Sequence, residues 1–292
     1  MRVVHVSTAA LLIFQATLLS QTPKVIMPED LFRRNIGTKE QQNKQFPPHR
    51  IVGNLYYVGT ESLASFLIVT PAGDILINSC YEADVPGIKD SVEKLGFHFS
   101  DIKILLGSHA HADHMEGDAL VKQMTGAKLM VMEADIPALL KITPGGKPHV
   151  VDRVLQDKAE VNWGGMSLVA HLTPGHTRGC TTWTTKVQEN GKSYDVVIIC
   201  SMGVNPGYQL VNNKDNPLIS AEYMRTFKIM RSLPCDIPLG SHPAMYNMVE
   251  KYAKLGKSTT NPFIDPEGYK KEIDINEQAF TLRRDEQLNA FQ

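Results

Sequence analysis

Three imidazoles and a carboxylate fall within six positions in the run Ser108-His109-Ala110-His111-Ala112-Asp113-His114. Neutral imidazole nitrogens and carboxylate oxygens are ligands that Zn²⁺ accepts readily. The run follows the continuous apolar stretch Ile102–Gly107 and precedes a helical pattern, which places it in a loop at the end of a strand. From such a loop several side chains can point into one cleft. Two more histidines have the same setting: His176 in Leu172-Thr-Pro-Gly-His-Thr177 and His242 in Leu239-Gly-Ser-His-Pro243, each after an apolar strand and a turn residue. Three strand-end loops would then converge on one edge. His5, His49, His98, His149 and His171 lack that context and read as solvent-facing or packing residues, although His171 sits within a strand.

The elements that must carry these loops form a mixed α/β pattern of short apolar runs and helical periodicities. Strands are expected at Ile51–Val58, Ser65–Val69, Asp74–Asn78, Ile102–Gly107, Lys128–Met132, Ser167–Leu172, Thr181–Val187, Tyr194–Ile199 and Ile237–Gly240. Helices are expected at Val85–Leu95, Gly117–Thr125, Glu133–Leu140, Ala221–Ser232, Met248–Leu255 and within Pro266–Asn289. The strands come in two batches on either side of about residue 145, each followed by helices, which suggests two sheets packed face to face with helices outside. Lys141–Pro148, with two glycines and two prolines, is either a plain connector or an active-site flap.

With 292 residues, 42% of them hydrophobic, the chain can bury a large core, and disorder is excluded. A net charge of −1 leaves no basic footprint for nucleic acid, and small neutral or anionic substrates suit it better. Arg2, an apolar run Ala9–Leu19 and the polar break Ser20-Gln21-Thr22 follow the grammar of a cleaved signal peptide over residues 1–20, with an uncleaved N-terminal anchor as the alternative. No later segment has the length of a membrane span, so a soluble, secreted, periplasmic mature chain is expected. Export permits a disulfide. Cys180 opens one strand and Cys200 closes the next, with the hairpin turn Asn190-Gly191 between them, so the two should face each other at the open end of that hairpin. A pair of reduced core cysteines is the alternative. Cys80 and Cys235 read as core filler.

Taken together, H-x-H-x-D-H, T-P-G-H-T and the late G-S-H-P resemble the metallo-β-lactamase superfamily over nearly all of residues 21–292. The resemblance implies an α/β fold, a four-layered αβ/βα sandwich with two mixed β-sheets, and metals in the groove between them. Most superfamily hydrolases, including glyoxalase II and the lactonases, carry a further Asp near residue 200 that bridges both metals. Here the chain reads Val197-Ile-Ile-Cys-Ser-Met-Gly-Val-Asn-Pro-Gly-Tyr208, without a carboxylate. That loss, with histidine at all three first-loop positions, is similar to subclass B3. The resemblance implies two Zn²⁺ per chain, one on His109, His111 and His176 and the other on Asp113, His114 and His242. Asp113 would also orient the attacking hydroxide. Ser201, Asn205 and Tyr208 would contact the substrate, unless they form an ordinary Asn-Pro-Gly turn with a packed tyrosine. The implied activity is opening of penicillins, cephalosporins and carbapenems by a monomer, conferring antibiotic resistance. A thioesterase or lactonase on the same fold, or a metal-binding domain without catalysis, are the competing classes.

Overall fold

The computed structural model describes residues 26–290, so the apolar leader read at residues 1–20 lies outside it. Two helices, α1 (Pro28–Ile36) and α2 (Lys39–Asn43), precede seven strands that lie side by side in chain order. These are β1 (His49–Val52), β2 (Leu55–Tyr57), β3 (Phe66–Ile68), β4 (Asp74–Ile77), β5 (Ile102–Leu106), β6 (Lys128–Met132) and β7 (Arg153–Leu155). Neighbours from β1 to β4 are antiparallel, and those from β4 to β7 are parallel. The parallel connections carry α3 (Val85–Lys94), α4 (Ala112–Met115), α5 (Asp118–Thr125) and α6 (Ile136–Leu139). A second sheet holds β8 (Ala159–Trp163), β9 (Met166–Leu172), β10 (Thr181–Glu189), β11 (Lys192–Ile199) and β12 (Ile237–Gly240), in the order β12-β11-β10-β9-β8. Only its β11/β12 pair is parallel, and α7 (Ile219–Ser232) makes that connection. Two further helices, α8 (Met248–Lys254) and α9 (Pro266–Asn289), end the chain.

Side-chain alternation explains the layering. In the first sheet Phe66, Ile68, Ile75, Ile77, Ile104 and Leu106 point one way, into a core shared with Leu168, Ala170, Trp183 and Val187 of the second sheet. Their neighbours Leu67, Leu76 and Leu105 point the other way, onto Val85, Ile88 and Val92 of α3 and Val121 of α5. Buried on both faces, these strands are continuous apolar runs in the sequence. Beyond the second sheet, Tyr223 of α7 stacks with Phe227 and with Phe280 of α9, and Phe227 packs tilted against Phe280. The result is the expected four-layered αβ/βα sandwich.

Several boundaries differ from those expected. The single strand foreseen at Ile51–Val58 is the hairpin β1/β2, because Gly53 takes a positive φ of 50° and turns the chain in two residues. Strands β7 and β8 escape sequence patterning, since each lies at a sheet edge and exposes polar or charged side chains. Consequently the division between the sheets falls after Leu155 rather than near residue 145. The Lys141–Pro148 stretch contains a short 3₁₀ turn, Pro144–Gly146, and Lys147 reaches Glu82 at 3.4 Å.

Asn190 and Gly191 both have positive φ, as the two-residue hairpin between β10 and β11 requires. Cys180 and Cys200 are joined in a disulfide, with Cα atoms 5.8 Å apart. They are not direct cross-strand partners: the ladder ends at Trp183↔Ile198, and the bond spans the diverging ends beyond it. Cys80 and Cys235 are free. Peptide mapping of unreduced protein is expected to recover Cys180 linked to Cys200, with only Cys80 and Cys235 alkylated after denaturation. For a separation of 20 residues, the chain-entropy model gives a stabilisation of about 3 kcal/mol, so reduction should lower the unfolding free energy by that order. Free Cys180 and Cys200 thiols in oxidised protein would contradict the pairing.

Candidate metal centre

The residues singled out by the sequence stand just past the carboxyl ends of strands: His109 to His114 after β5, His176 after β9, Ser201 after β11 and His242 after β12. Strand β5 belongs to one sheet and the other three to its partner, so the site lies where the two sheets meet. Hydrogen bonds across the sheets fix the loops that meet there. Trp183 donates its indole N–H to the carbonyl of Gly107 at 3.0 Å. The backbone nitrogen of Thr181 donates to Ser108 at 2.8 Å, and that of Ala64 to Ser241 at 3.0 Å. Asn78, which tolerates its φ of 65° better than most residues, accepts the Ser108 N–H on Oδ1 at 2.8 Å.

These loops gather two groups of side chains. His109, His111 and His176 bring potential ligand atoms within 4.8 Å of one another, and Asp113, His114 and His242 do the same. The rings of His109 and His114 are 4.3 Å apart between centroids, which makes the groups adjacent. His176 Nδ1 lies 2.7 Å from the Gly203 carbonyl and His242 Nδ1 3.0 Å from the Ser62 carbonyl. A carbonyl only accepts, so both Nδ1 atoms carry the proton and both lone pairs sit on Nε2. His242 Nε2 lies 3.7 Å and His114 Nε2 3.3 Å from Asp113 Oδ2.

Burial is the main influence on each ring. It holds His109 well below the ordinary imidazole range and takes His114 and His176 down to about 3. His111 and His242 are also lowered by burial, with Asp113 opposing it there and at His114. For Asp113 burial pulls upward, but the surrounding rings, His114 foremost, outweigh it and hold the carboxyl below its usual value. The donors are therefore neutral imidazoles and an ionised carboxylate. Nε2 of His109 and both ring nitrogens of His114 are buried without a hydrogen-bond partner. Orphaned polar atoms of this kind are uncommon in folded proteins. Cations in both groups would satisfy them, so the residues present fit two zinc ions.

The cleft in front of these groups has a volume of about 270 Å³, and Ser201 and Asn205 line it. Tyr208 does not. Its hydroxyl donates to the backbone carbonyl of His176 at 2.8 Å, and its ring borders a neighbouring hollow. Lys141–Pro148 contributes nothing to the cleft lining; α1 does, through Phe32, Asn35 and Ile36. Sequence reasoning missed this wall, although Phe32 and Ile36 have the i, i+4 spacing of a helix face. Arg34 pins α1 to α9 through Glu272 at 2.5 and 3.0 Å.

The remaining histidines lie elsewhere. His49 packs among Tyr57, Tyr252 and Phe263, His149 is buried beside Asp118, His98 is exposed, and His5 lies outside the described residues. His171 binds Thr184 at 2.8 Å, on the side of β10 opposite Trp183, where a larger hollow of about 920 Å³ holds none of the six clustered residues. The chain contains two S-x-x-K tetrads, Ser91–Lys94 and Ser100–Lys103. Ser91 is buried on α3, and Lys103 binds the Ser100 carbonyl; neither serine lines the cleft.

Residues 59–242 match the family described as the metallo-beta-lactamase superfamily. The chain belongs to that superfamily, and it is an enzyme of the hydrolase type. Among solved structures it is similar to the FEZ-1 metallo-beta-lactamase from Legionella gormanii, with 51% identity and a TM-score of 0.81 over 84% of this chain and 98% of that one. It also resembles BJP-1, a subclass B3 metallo-beta-lactamase of Bradyrhizobium japonicum, with 34% identity and a TM-score of 0.80 over 87% of this chain and 99% of that one. LRA-12, a class B3 di-zinc metallo-beta-lactamase from an Alaskan soil metagenome, shares 31% identity at a TM-score of 0.78, over 84% and 97% of the two chains. Within the superfamily the chain falls with subclass B3.

The position of Tyr208 yields a test. Tyr208→Phe removes one hydrogen bond to the His176 loop and is expected to lower stability by about 1 kcal/mol. KM and metal content should stay at the unsubstituted values. A several-fold rise in KM at unchanged stability would instead make the hydroxyl a substrate contact.

Proposed function

We propose that the protein is a periplasmic, monomeric β-lactamase that opens the lactam amide of penicillins, cephalosporins and carbapenems with two zinc ions per chain, and so confers antibiotic resistance. His109, His111 and His176 would hold one ion, and Asp113, His114 and His242 the other. The observation that carries this reading is the combination of these six donors with the turn Cys200-Ser201-Met202. That turn faces the cleft with a serine and supplies no carboxylate to bridge the metals. Thioesterase and lactonase members of the superfamily are expected to have that carboxylate, which favours β-lactam opening over their chemistry. The three similar structures are metallo-beta-lactamases, one of them di-zinc, which supports the same choice.

Zinc, when bound, lowers the pKa of a coordinated water to about 7 and polarises a carbonyl. The rest falls to the protein. His109, His111 and His176 are neutral imidazoles and would bring no negative charge to an ion they hold, leaving its charge uncompensated by the protein. Asp113 is ionised and can orient the attacking water by accepting a hydrogen bond from it. Hydrolysis joins the water oxygen to the lactam carbonyl carbon and breaks the carbon–nitrogen bond, and the nitrogen takes up a proton. Ser201 and Asn205 are the donors available to the substrate's carboxylate or carbonyl. Phe32 and Ile36 give the cleft an apolar side, which shields the reacting groups from bulk water and accommodates a hydrophobic substituent. Export agrees with the Cys180–Cys200 bond and with the lack, among the described residues, of any helix long and apolar enough to cross a membrane.

Mature protein supplied with zinc should hydrolyse nitrocefin, a penicillin and a carbapenem, with little action on monobactams. A thioester and a homoserine lactone should be run in parallel. Faster turnover of either than of every β-lactam would replace this reading with the corresponding alternative. His114→Ala should purify folded, with close to one zinc by elemental analysis, and should lose most β-lactam turnover. Two tightly held zincs in that variant would show that His114 is not a ligand.

A further inference from the structure

Asp135 ends a 3₁₀ turn and occupies the N-cap position of α6. An aspartate there ordinarily folds back to accept the free N–H groups of its own helix. Asp135 makes no such bond. Its carboxylate reaches instead to both loops of the three-histidine group. Oδ2 accepts the backbone N–H of Ala110, the residue between His109 and His111, at 2.9 Å. The same oxygen accepts the hydroxyl of Thr177, which follows His176, also at 2.9 Å. Oδ1 accepts the backbone N–H of Gly179 at 2.6 Å.

The arrangement is tightly built. Asp135 is only 2% exposed. A Cβ on Gly179 would stand 2.4 Å from the Asp135 nitrogen and 2.6 Å from its Cβ, so only glycine permits this approach. Ala110 belongs to the loop after β5 of the first sheet, whereas Thr177 and Gly179 belong to the loop after β9 of the second. One carboxylate therefore ties together the two sheets on either side of the three histidines. The other donor group is held differently: the His114 carbonyl accepts from the backbone nitrogens of Ser79 and Cys80, and His242 binds the Ser62 carbonyl.

We infer that Asp135 is the positioning residue of the three-histidine zinc site, setting through Ala110, Thr177 and Gly179 the distance and angle at which His109 and His111 face His176. This rests on the proposal that those histidines hold zinc. Asp135 touches no metal itself. Its removal should loosen one ion and spare the other, a selectivity that a general contribution to folding would not produce.

The test uses full-length mature protein loaded with ¹¹³Cd, whose NMR spectrum should show one resonance for the three-histidine site and one for the Asp113 site. Chelator titration of the zinc enzyme then measures the two affinities. Asp135→Asn places an amide donor among N–H donors, and zinc affinity at the three-histidine site should fall about 10- to 100-fold. The matching cadmium resonance should shift or broaden, and the other should stay in place. Thr177→Val removes a single donor from a half-buried position and should weaken the same site several-fold; it decides the matter if Asp135→Asn does not fold. Unchanged affinity at the three-histidine site in the folded variants, or equal weakening of both sites, would overturn the inference. A three-histidine resonance missing from unsubstituted protein would overturn the metal assignment itself, and the positioning role with it.

Discussion

Five imidazole rings and a carboxylate crowd the mouth of this sandwich, four of the rings buried, and the rest of the structure answers to that crowding. Centroids of neighbouring rings lie between 4.3 and 4.9 Å apart. Protonation would set like charges against one another in a medium that screens them poorly. Neutral rings leave lone pairs converging on unsatisfied space. Neither state is favourable for free loops. The arrangement persists because the loops are held by bonds that belong to the fold: Trp183 to Gly107, Thr181 to Ser108, Asn78 to Ser108 and Asp135 to Ala110. The stability of two packed sheets thus offsets a local arrangement awaiting cations.

A cleft built in this way divides its duties by element. Strand ends supply the donors, whose placement tolerates little error, and their backbones are anchored on both sides. An apolar wall of the cleft comes from α1, an element outside both sheets, attached to α9 by the Arg34–Glu272 pair, in which Glu272 is buried among neighbours that include Asn276. Changes in α1 can reshape the pocket without disturbing the donors. The Ser201 turn occupies the position between these two parts, reaching the cleft from the end of β11 with a serine and no carboxylate.

Much of this was legible in the sequence, for physical reasons. Parallel strands buried on both faces, such as β5 and β6, appear as unbroken apolar runs, and the donors stand directly after them. The αβ/βα layering followed from the two batches of strands, and the Asn190-Gly191 turn gave the hairpin that the cysteines close. What escaped notice lacked a local signal. Edge strands β7 and β8 are short and half polar. Helix α1 carries charged residues along an exposed side, and its contact with the cleft depends on Glu272, 238 residues away. For Tyr208 the sequence leaves a substrate contact and a packed turn tyrosine both open, and its hydroxyl turns to a backbone carbonyl. Asp135 falls inside the helix expected at Glu133–Leu140, and only the fold reveals that its carboxylate serves other loops.

The order of the strands also sets a timetable. His109, His111 and His176 are all present once the chain has been made as far as the loop after β9. His242 follows β12, which pairs in parallel with β11 across the connection that carries α7. Contacts that close over long stretches of chain form slowly. A chain folding from its amino end therefore has all three histidines of the first group in hand while the other group still lacks His242.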